Sequence, residues 1–366
     1  NREGFLIERK IKMNTSNGTK RTKAMLALAV AAAIAVAPLL PSGDAASAAA
    51  SRYKIIEQAI DANGTSVTLP AINTGSTTYV ALRGLNNELG LNTRWDKASN
   101  TVTVTGRDRE LVLNLGDGGA TLNGQSIYGL PSIVQSNTTY VPFRFLLERM
   151  GYGVSYDPAT KAIGIETIQE NALKIETEAI KEDGKRKSIA VHYPRITGYV
   201  NEEVQKKINE TLKKDAELNV DLARQSLDGA LGEGSESYEV SFEGTYTVTY
   251  NEQDKLSLYV DYHIYTGGAH GTTARVTYTF DLKTGKQLTL TDVTGGNTKY
   301  VSIINGHIQN QIKARGIGLL NPFRTIEPDR DFFLKHNGVV VYFTQYEYTP
   351  YAAGMPEFEV PFSAFE

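Results

Sequence analysis

The sequence predicts an α+β protein: a signal peptide, then a duplicated β-helix-β unit, then a module of antiparallel sheet plus helices. Three observations carry this. Residues 69–104 and 130–165 match each other at an offset of 61. The second half alternates apolar and polar residues over long stretches around one amphipathic helix. Near the start, Ala24 to Leu40 is an apolar, alanine-rich run of 17 residues behind Lys20, Arg21 and Lys23.

The chain has 366 residues, more than one compact core usually holds, so two or three domains are expected. The basic residues, the apolar run broken at Pro38 and Pro41, and the small residues of SGDAASAAA read as a secretory signal, with Ala46-Ser47-Ala48 as a cleavage site. Seventeen mostly alanine residues are marginal for a membrane span. The expectation is a secreted protein that meets the membrane only through its export signal, with Met13 a fitting start. Residues 1–50 hold seven Lys or Arg against three Asp or Glu, leaving a net charge of −7 on the remainder. That balance argues against nucleic acid as a partner. There is no cysteine, which excludes disulfides and thiolate metal sites.

In the repeat, TTYVALRGLNNELGLNTRWDKASNTVTV (77–104) lies over TTYVPFRFLLERMGYGVSYDPATKAIGI (138–165). Tyr79 meets Tyr140, Arg83 meets Arg144, Gly90 meets Gly151, Trp95 meets Tyr156 and Asp96 meets Asp157. Each copy predicts a short strand, a two-turn helix stopped by glycine, a strand ending in an aromatic, an Asp-started turn and a β-branched strand. These motifs resemble the copper amine oxidase N-terminal-like domain of secreted Gram-positive proteins, over about 52–167. The resemblance implies a stalk or adhesion module on the cell envelope. It does not carry copper with it. No His or Cys lies between 51 and 191, the one Met is Met150, and copper wants imidazole, thiolate or thioether ligands. No cofactor or metal is expected. Arg83 and Arg144 are expected to pair within their own fold rather than hold an anion.

After residue 170 the pattern changes. LKIETEAI (173–180) and KSIAVHYP (187–194) alternate as strands around a charged turn. Residues 201–225 predict a helix with Val204, Ile208, Leu212 and Leu222 inward and Glu202 and Glu203 in the first turn, where the dipole favours acids. In the strand from Lys255, Leu256, Leu258, Val260, Tyr262 and Ile264 take one face, and Ser257, Tyr259, Asp261, His263 and Tyr265 the other. TARVTYTFDL alternates again. A helix over 297–315 ends at Gly316, RDFFLK reads as a short helix or turn, and GVVVYF begins a buried strand, an aromatic loop and a last strand.

Between two of these strands sits HIYTGGAHGTT (263–273). A phosphate loop needs a helix after its glycines, and none is predicted there. A metal site is poorly supported: His263 and His270 are seven apart and the other histidines are scattered. The stretch reads as a hairpin connection with glycines at positive φ. Tyr259, Asp261, His263 and Tyr265 offer a weak acid–base constellation, more simply a polar strand face. No nucleophile elbow or metal motif is present, so a non-enzyme is expected.

HIYTGGAHGTT, YTFDLKTGK and VVVYFTQYEYTPYAAGMPEFEVPFSAF look like the extracellular module of lysozyme-sensing anti-sigma factors. The same module precedes the catalytic domain of some peptidoglycan deacetylases. The resemblance spans about 172–364, and one branch of that family binds a lysozyme directly. This sequence shows no sigma-binding segment and no deacetylase domain, so signalling and deacetylation are not expected. The organisation expected is signal peptide 1–50, stalk 51–168, a deacetylase-N-terminal-like domain 171–280 and an anti-sigma-extracellular-like domain 281–366. The expected partner is a lysozyme-type protein or peptidoglycan, met through Thr266, Gly267, Gly268, His270, Gly271, Tyr346, Tyr348 and Tyr351. A structural wall scaffold, or an accessory protein of peptidoglycan modification with a catalytic activity that no motif reveals, is the alternative.

Overall fold

The computed structural model describes residues 53–75, 77–81, 89–116, 118–127, 129–157, 159–231 and 238–366. The signal peptide, Arg83 and the helix expected in the first repeat copy lie outside the described residues.

The first part runs through strands β1 (Ile55–Ala62), β2 (Thr65–Asn73), β3 (Thr78–Ala81), β4 (Asn92–Asp96), β5 (Thr101–Gly106), β6 (Arg109–Asn114), β7 (Ala120–Leu122), β8 (Gln125–Ile127), β9 (Ile133–Gln135) and β10 (Thr138–Pro142). Helix α1 (Phe143–Arg149) and strands β11 (Tyr152–Tyr156) and β12 (Ile163–Thr167) complete it. The strands form two sheets, ordered β11-β12-β1-β2-β3-β10-β9 and β4-β5-β6-β7-β8. β1 and β12 run parallel. Val80 of β3 pairs with Val141 of β10, so positions 61 apart in the chain meet across one ladder.

Val102, Val104, Leu111 and Leu113 share one buried cluster with Leu146 and Leu147 of α1 and Ile163 and Ile165 of β12. The alternation of β5 and β6 supplies one side of that cluster, because every second side chain points the same way. Helix α1 starts behind Pro142, whose φ of −64° suits a helix entry, and the chain turns out of it at Gly151, φ +84°. Asp96 and Asp157 start their turns by accepting the amides of Ala98 and Ala159, both at 2.8 Å. Arg144 donates to Val154 O and to Glu148, so it pairs within its own fold.

The second part comprises β13 (Lys174–Asp183), β14 (Lys187–Thr197), α2 (Glu202–Ala230), β15 (Val240–Glu252), β16 (Lys255–Tyr265) and β17 (Thr272–Asp281). Then follow helices α3 (Leu290–Val293) and α4 (Tyr300–Arg315), and strands β18 (Phe332–Lys335), β19 (Gly338–Tyr342) and β20 (Glu357–Pro361). β13 to β17 make a five-stranded sheet in chain order, and β18, β19 and β20 a three-stranded one. β14 and β15 pair in parallel, with α2 as the crossover between them.

Strand alternation produces four layers. Leu256, Leu258, Val260 and Tyr262 of β16 cluster with Val204, Ile208, Leu212, Ala216, Val220, Ala223 and Leu227 of α2. The α2 stripe repeats at three and four residues, and the Asn201 carboxamide accepts from Val204 N at its start. On the opposite face of the sheet, Tyr259 meets Phe333, Val340 and Tyr342 of the small sheet. The other side of that small sheet, through Phe332, Leu334, Val339 and Val341, packs on Ile304 and Ile308 of α4. The order is α2, five strands, three strands, α4.

Within RDFFLK, Phe332–Lys335 is a strand, not a helix or turn. Phe333 and its neighbours Phe332 and Leu334 serve opposite faces, a period of two that a helix cannot supply. Helix α2 runs to Ala230, beyond the expected end, because Ala223 and Leu227 continue its buried stripe. Gly316, φ +63°, ends α4. The turn between β15 and β16 is the pair Gln253 and Asp254, φ +49° and +56°, a two-residue hairpin turn without glycine.

Candidate partner-binding surface

The hairpin β16–β17 closes from Ile264↔Thr272, and Thr266 to Gly271 project beyond it. Gly267 and Gly268 have φ of +95° and +99°. At Gly267 a Cβ would stand 2.6 Å from the Tyr238 ring, so the loop lies flat on that tyrosine. At Gly271 a Cβ would stand 2.6 Å from Ile264 O. The Tyr265 hydroxyl donates to Gly268 O at 3.0 Å and braces the loop. These bonds and close approaches give the connection one shape.

The chain from β19 to β20 comes up beside it. Thr273 N donates to the Gln345 carboxamide at 2.8 Å. His270 then stacks on Tyr351, centroids 4.0 Å apart and planes 21° apart, while Tyr346 lies 5.6 Å from Tyr351. The Tyr346 hydroxyl stands 3.4 Å from His270 Nε2. Tyr346 is 54% exposed, and Thr266, Gly268, Ala269, Pro350, Ala352 and Ala353 around it are exposed too. The result is a plateau of three rings bordered by small, uncharged residues. Tyr346 holds a φ of +63°, a region that costs a non-glycine residue of order 1–3 kcal/mol.

Of the expected contact residues, the structure gathers Thr266, Gly267, Gly268, His270, Gly271, Tyr346 and Tyr351. It places Tyr348 elsewhere. That ring packs against Phe343 at 4.6 Å and Phe323 at 5.5 Å, within the cluster beneath the loop. Residues 346, 348 and 351 do not share a face here, because the turn closed by Glu347 N on Thr344 O at 3.1 Å, with Tyr346 at φ +63°, and the 3-10 turn at Tyr351–Ala353 break the strand period.

Beneath the plateau the two loops stand on buried charge. Arg275 of β17 donates Nε and Nη2 to Asp261 of β16 at 2.7 and 2.8 Å, and Nη1 to Glu357 of β20 at 2.7 Å. Its guanidinium lies 3.8 Å over the Tyr259 ring. The Arg275 and Asp261 side chains are 7% and 2% exposed. Burial works against the arginine's charge, but Asp261 outweighs it and keeps the guanidinium protonated well above its usual value. For Glu357, burial pushes the carboxyl up, and Lys335 and Arg275 pull it further down. Nearby, Glu347 accepts from Arg330 at 2.5 and 2.7 Å and from Thr344 N at 2.8 Å, pinning the base of the aromatic loop.

This arrangement disposes of the acid–base reading of the β16 face. Asp261 is a buried counter-ion, fully engaged by Arg275, and Tyr259 carries the cation on its ring. His263 bonds Thr273 Oγ1 at 3.0 Å instead. Among the described residues no group of three or more His, Cys, Asp or Glu is placed to hold a metal ion. Sequence reasoning missed Arg275. It was within reach: counting outward from the loop puts Arg275 directly opposite Asp261. Glu357, from a distant strand, left no such signal.

Three family models match successive stretches of the chain between residues 61 and 363. The copper amine oxidase N-terminal domain matches residues 61–165 and again 129–193. The model described as Deacetylase PdaC matches 180–273, which includes the glycine loop, and a protein family of unknown function, DUF3298, matches 291–363, which includes the aromatic loop. Among individual proteins, the Anti-sigma-V factor RsiV of Bacillus subtilis (strain 168) is 28% identical over 195 residues. That alignment covers 50% of this chain and 65% of RsiV, so the chain spans less than two thirds of that relative. Crystal structures of DUF3298-family proteins from Bacteroides fragilis and Pseudomonas aeruginosa PAO1 align at 18% identity, with TM-scores of 0.41 and 0.40. They cover 52% and 53% of this chain and 91% and 93% of their own. No helix among the described residues is long and apolar enough to cross a membrane.

Proposed function

We propose that this protein is exported to a Gram-positive-type cell envelope and acts there without catalysis, docking a basic, lysozyme-type protein on the plateau of His270, Tyr346 and Tyr351. One observation carries the reading: rings 76 residues apart in sequence converge on an exposed surface, one of them held at an unfavourable φ. Backbone strain of this kind clusters at functional positions. Exposed tyrosines are suited to act as interface anchors, and residues 171–366 carry a net charge of −6, which speeds encounter with a basic partner. The matches to a deacetylase-associated module and to an anti-sigma factor support an extracellular binding role.

Calorimetry of the chain with a C-type lysozyme tests this. The expected result is one-to-one binding that His270→Ala with Tyr351→Ala weakens at least about tenfold. Absence of heat, or equal binding by the double variant, overturns it. A second reading, wall glycan, is favoured by Trp95 and Tyr156, which stand at matching repeat positions and are 56% and 55% exposed. Flat aromatic faces suit sugars. Cosedimentation with isolated peptidoglycan, lost in Trp95→Ala with Tyr156→Ala, distinguishes it.

A further inference from the structure

The tip of the β18–β19 hairpin reaches out of the module into the first part of the chain. His336 sits between two carboxylates from different parts: Glu252 of β15, 2.7 Å from Nδ1, and Glu166 of β12, bonded to Nε2. Its neighbours follow. Asn337 Nδ2 donates to Val154 O of β11 at 3.3 Å. Lys335 stands 3.7 Å from Glu148 of α1 and 3.5 Å from Glu357 of β20. On β11, Gly153 makes room: a Cβ there would lie 2.8 Å from His336 Nε2. Elsewhere along the seam Arg109 pairs with Glu170, and Gln125 Nε2 donates to Tyr246 O at 2.6 Å.

We infer that this hairpin tip is a latch that fixes the orientation of the first part on the module, and that it closes only when His336 is the doubly protonated imidazolium. The reason is stoichiometric. Ionised carboxylates only accept, and a neutral imidazole has one N–H, so one of the two carboxylates then faces a lone pair. The groups facing the ring are Glu166 from β12 and Glu252 from β15. Next to it, Lys335 faces Glu148 of α1 and Glu357 and Glu359 of β20, with Arg149 opposing, and Tyr250 lies by Glu252. Only Glu166 is largely exposed, at 64%. The bond to Glu252, which outweighs burial, and the bond to Glu166 push His336 up to about 9. A raised histidine stabilises fully below its unfolded value of about 6.5 and loses that contribution as pH rises through about 9. The latch therefore stays shut at neutral pH and opens in alkali. It makes the first part a fixed spacer rather than a swinging stalk.

The absence of cysteine allows clean spin labelling. Labels at Lys97→Cys and Lys213→Cys report the distance between the two parts by pulsed dipolar spectroscopy, and labels at Lys213→Cys and Lys283→Cys report within the module. The expected inter-part distribution is narrow at about pH 7 and at least about twofold broader near pH 10. It is equally broad at pH 7 in His336→Ala and intermediate in Glu166→Gln, whose exposed side chain leaves folding intact. An inter-part distribution unchanged in both variants and in alkali overturns the latch. So does equal broadening within the module, which would signify general softening instead.

Discussion

Replacing Arg275 by Met should cost the module about 3–5 kcal/mol, the penalty for orphaning a buried charge. The magnitude follows from what is left behind. Asp261 is 2% exposed, and Arg275 is its ion-pair partner. Without it the carboxylate must stay ionised in a dry site or take up a proton. Protonating an aspartate at neutral pH, about three units above its ordinary value, costs about 4 kcal/mol at about 1.4 kcal/mol per unit. The two routes agree. Glu357 is not orphaned, since Lys335 remains 3.5 Å away. Urea unfolding should report the loss with an unchanged m-value, and melting should fall by roughly 8–16 °C for a unit of this size. The signature is in the pH dependence. A buried carboxylate without its cation is relieved when it takes up a proton, so the gap to the parent narrows as pH falls below neutrality. Adding Asp261→Leu should recover most of the loss, because paired removal of buried charges is often near neutral. A loss under about 1 kcal/mol, or a gap that does not move with pH, refutes the reasoning.

Three further outcomes follow from the same surface. Tyr346→Gly removes a side chain from a left-handed position that costs about 1–2 kcal/mol, so thermal stability should hold or rise while lysozyme affinity falls at least about tenfold by calorimetry. Gly271→Ala places a Cβ 2.6 Å from Ile264 O and should destabilise by about 1–3 kcal/mol in denaturant titration, with His263 displaced in the NMR spectrum. Burial pushes the Glu347 carboxyl up, and the bonds to Arg330 and Thr344 outweigh it, leaving the group below its ordinary 4.5. Its contribution is present above about 4.5 and lost as pH falls further, so Glu347→Gln should flatten the acid limb of the stability profile.

Local structure was legible in the residues because its causes are local. Asn201 with Glu202 and Glu203 marks the start of α2, Gly316 marks the end of α4, and strand alternation separates Leu256 from Ser257. The two loops were legible as loops. Their meeting was not, since His270 and Tyr351 touch only because the small sheet lies across the large one, and no spacing along the chain encodes that. Tyr348 was misread for a related reason. Three tyrosines in one loop look alike as composition, and only the turn at Thr344–Glu347, with Tyr346 at positive φ, separates an outward Tyr346 from a Tyr348 packed on Phe343. Phe332–Lys335 reads as helix or turn in isolation because four residues carry too little periodicity to choose.

The parallel pairing of β1 with β12 decides how the first part responds to being pulled. Ile60 lies level with Ile163, so Ile55 and Thr167 are about nine residue rises apart along the strands, roughly 30 Å. A pull on the chain before Ile55 and after Thr167 slides the two strands past each other. Gln58 Nε2 to Lys161 O, Asn63 N to Ile165 O and Thr167 N to Asn63 Oδ1 then stretch together with the ladder. Load shared in shear yields only when many bonds fail at once, whereas an antiparallel pair pulled from one end peels bond by bond. If the chain is held upstream and its partner tugs on the module, the first part takes the strain in its stiffest direction.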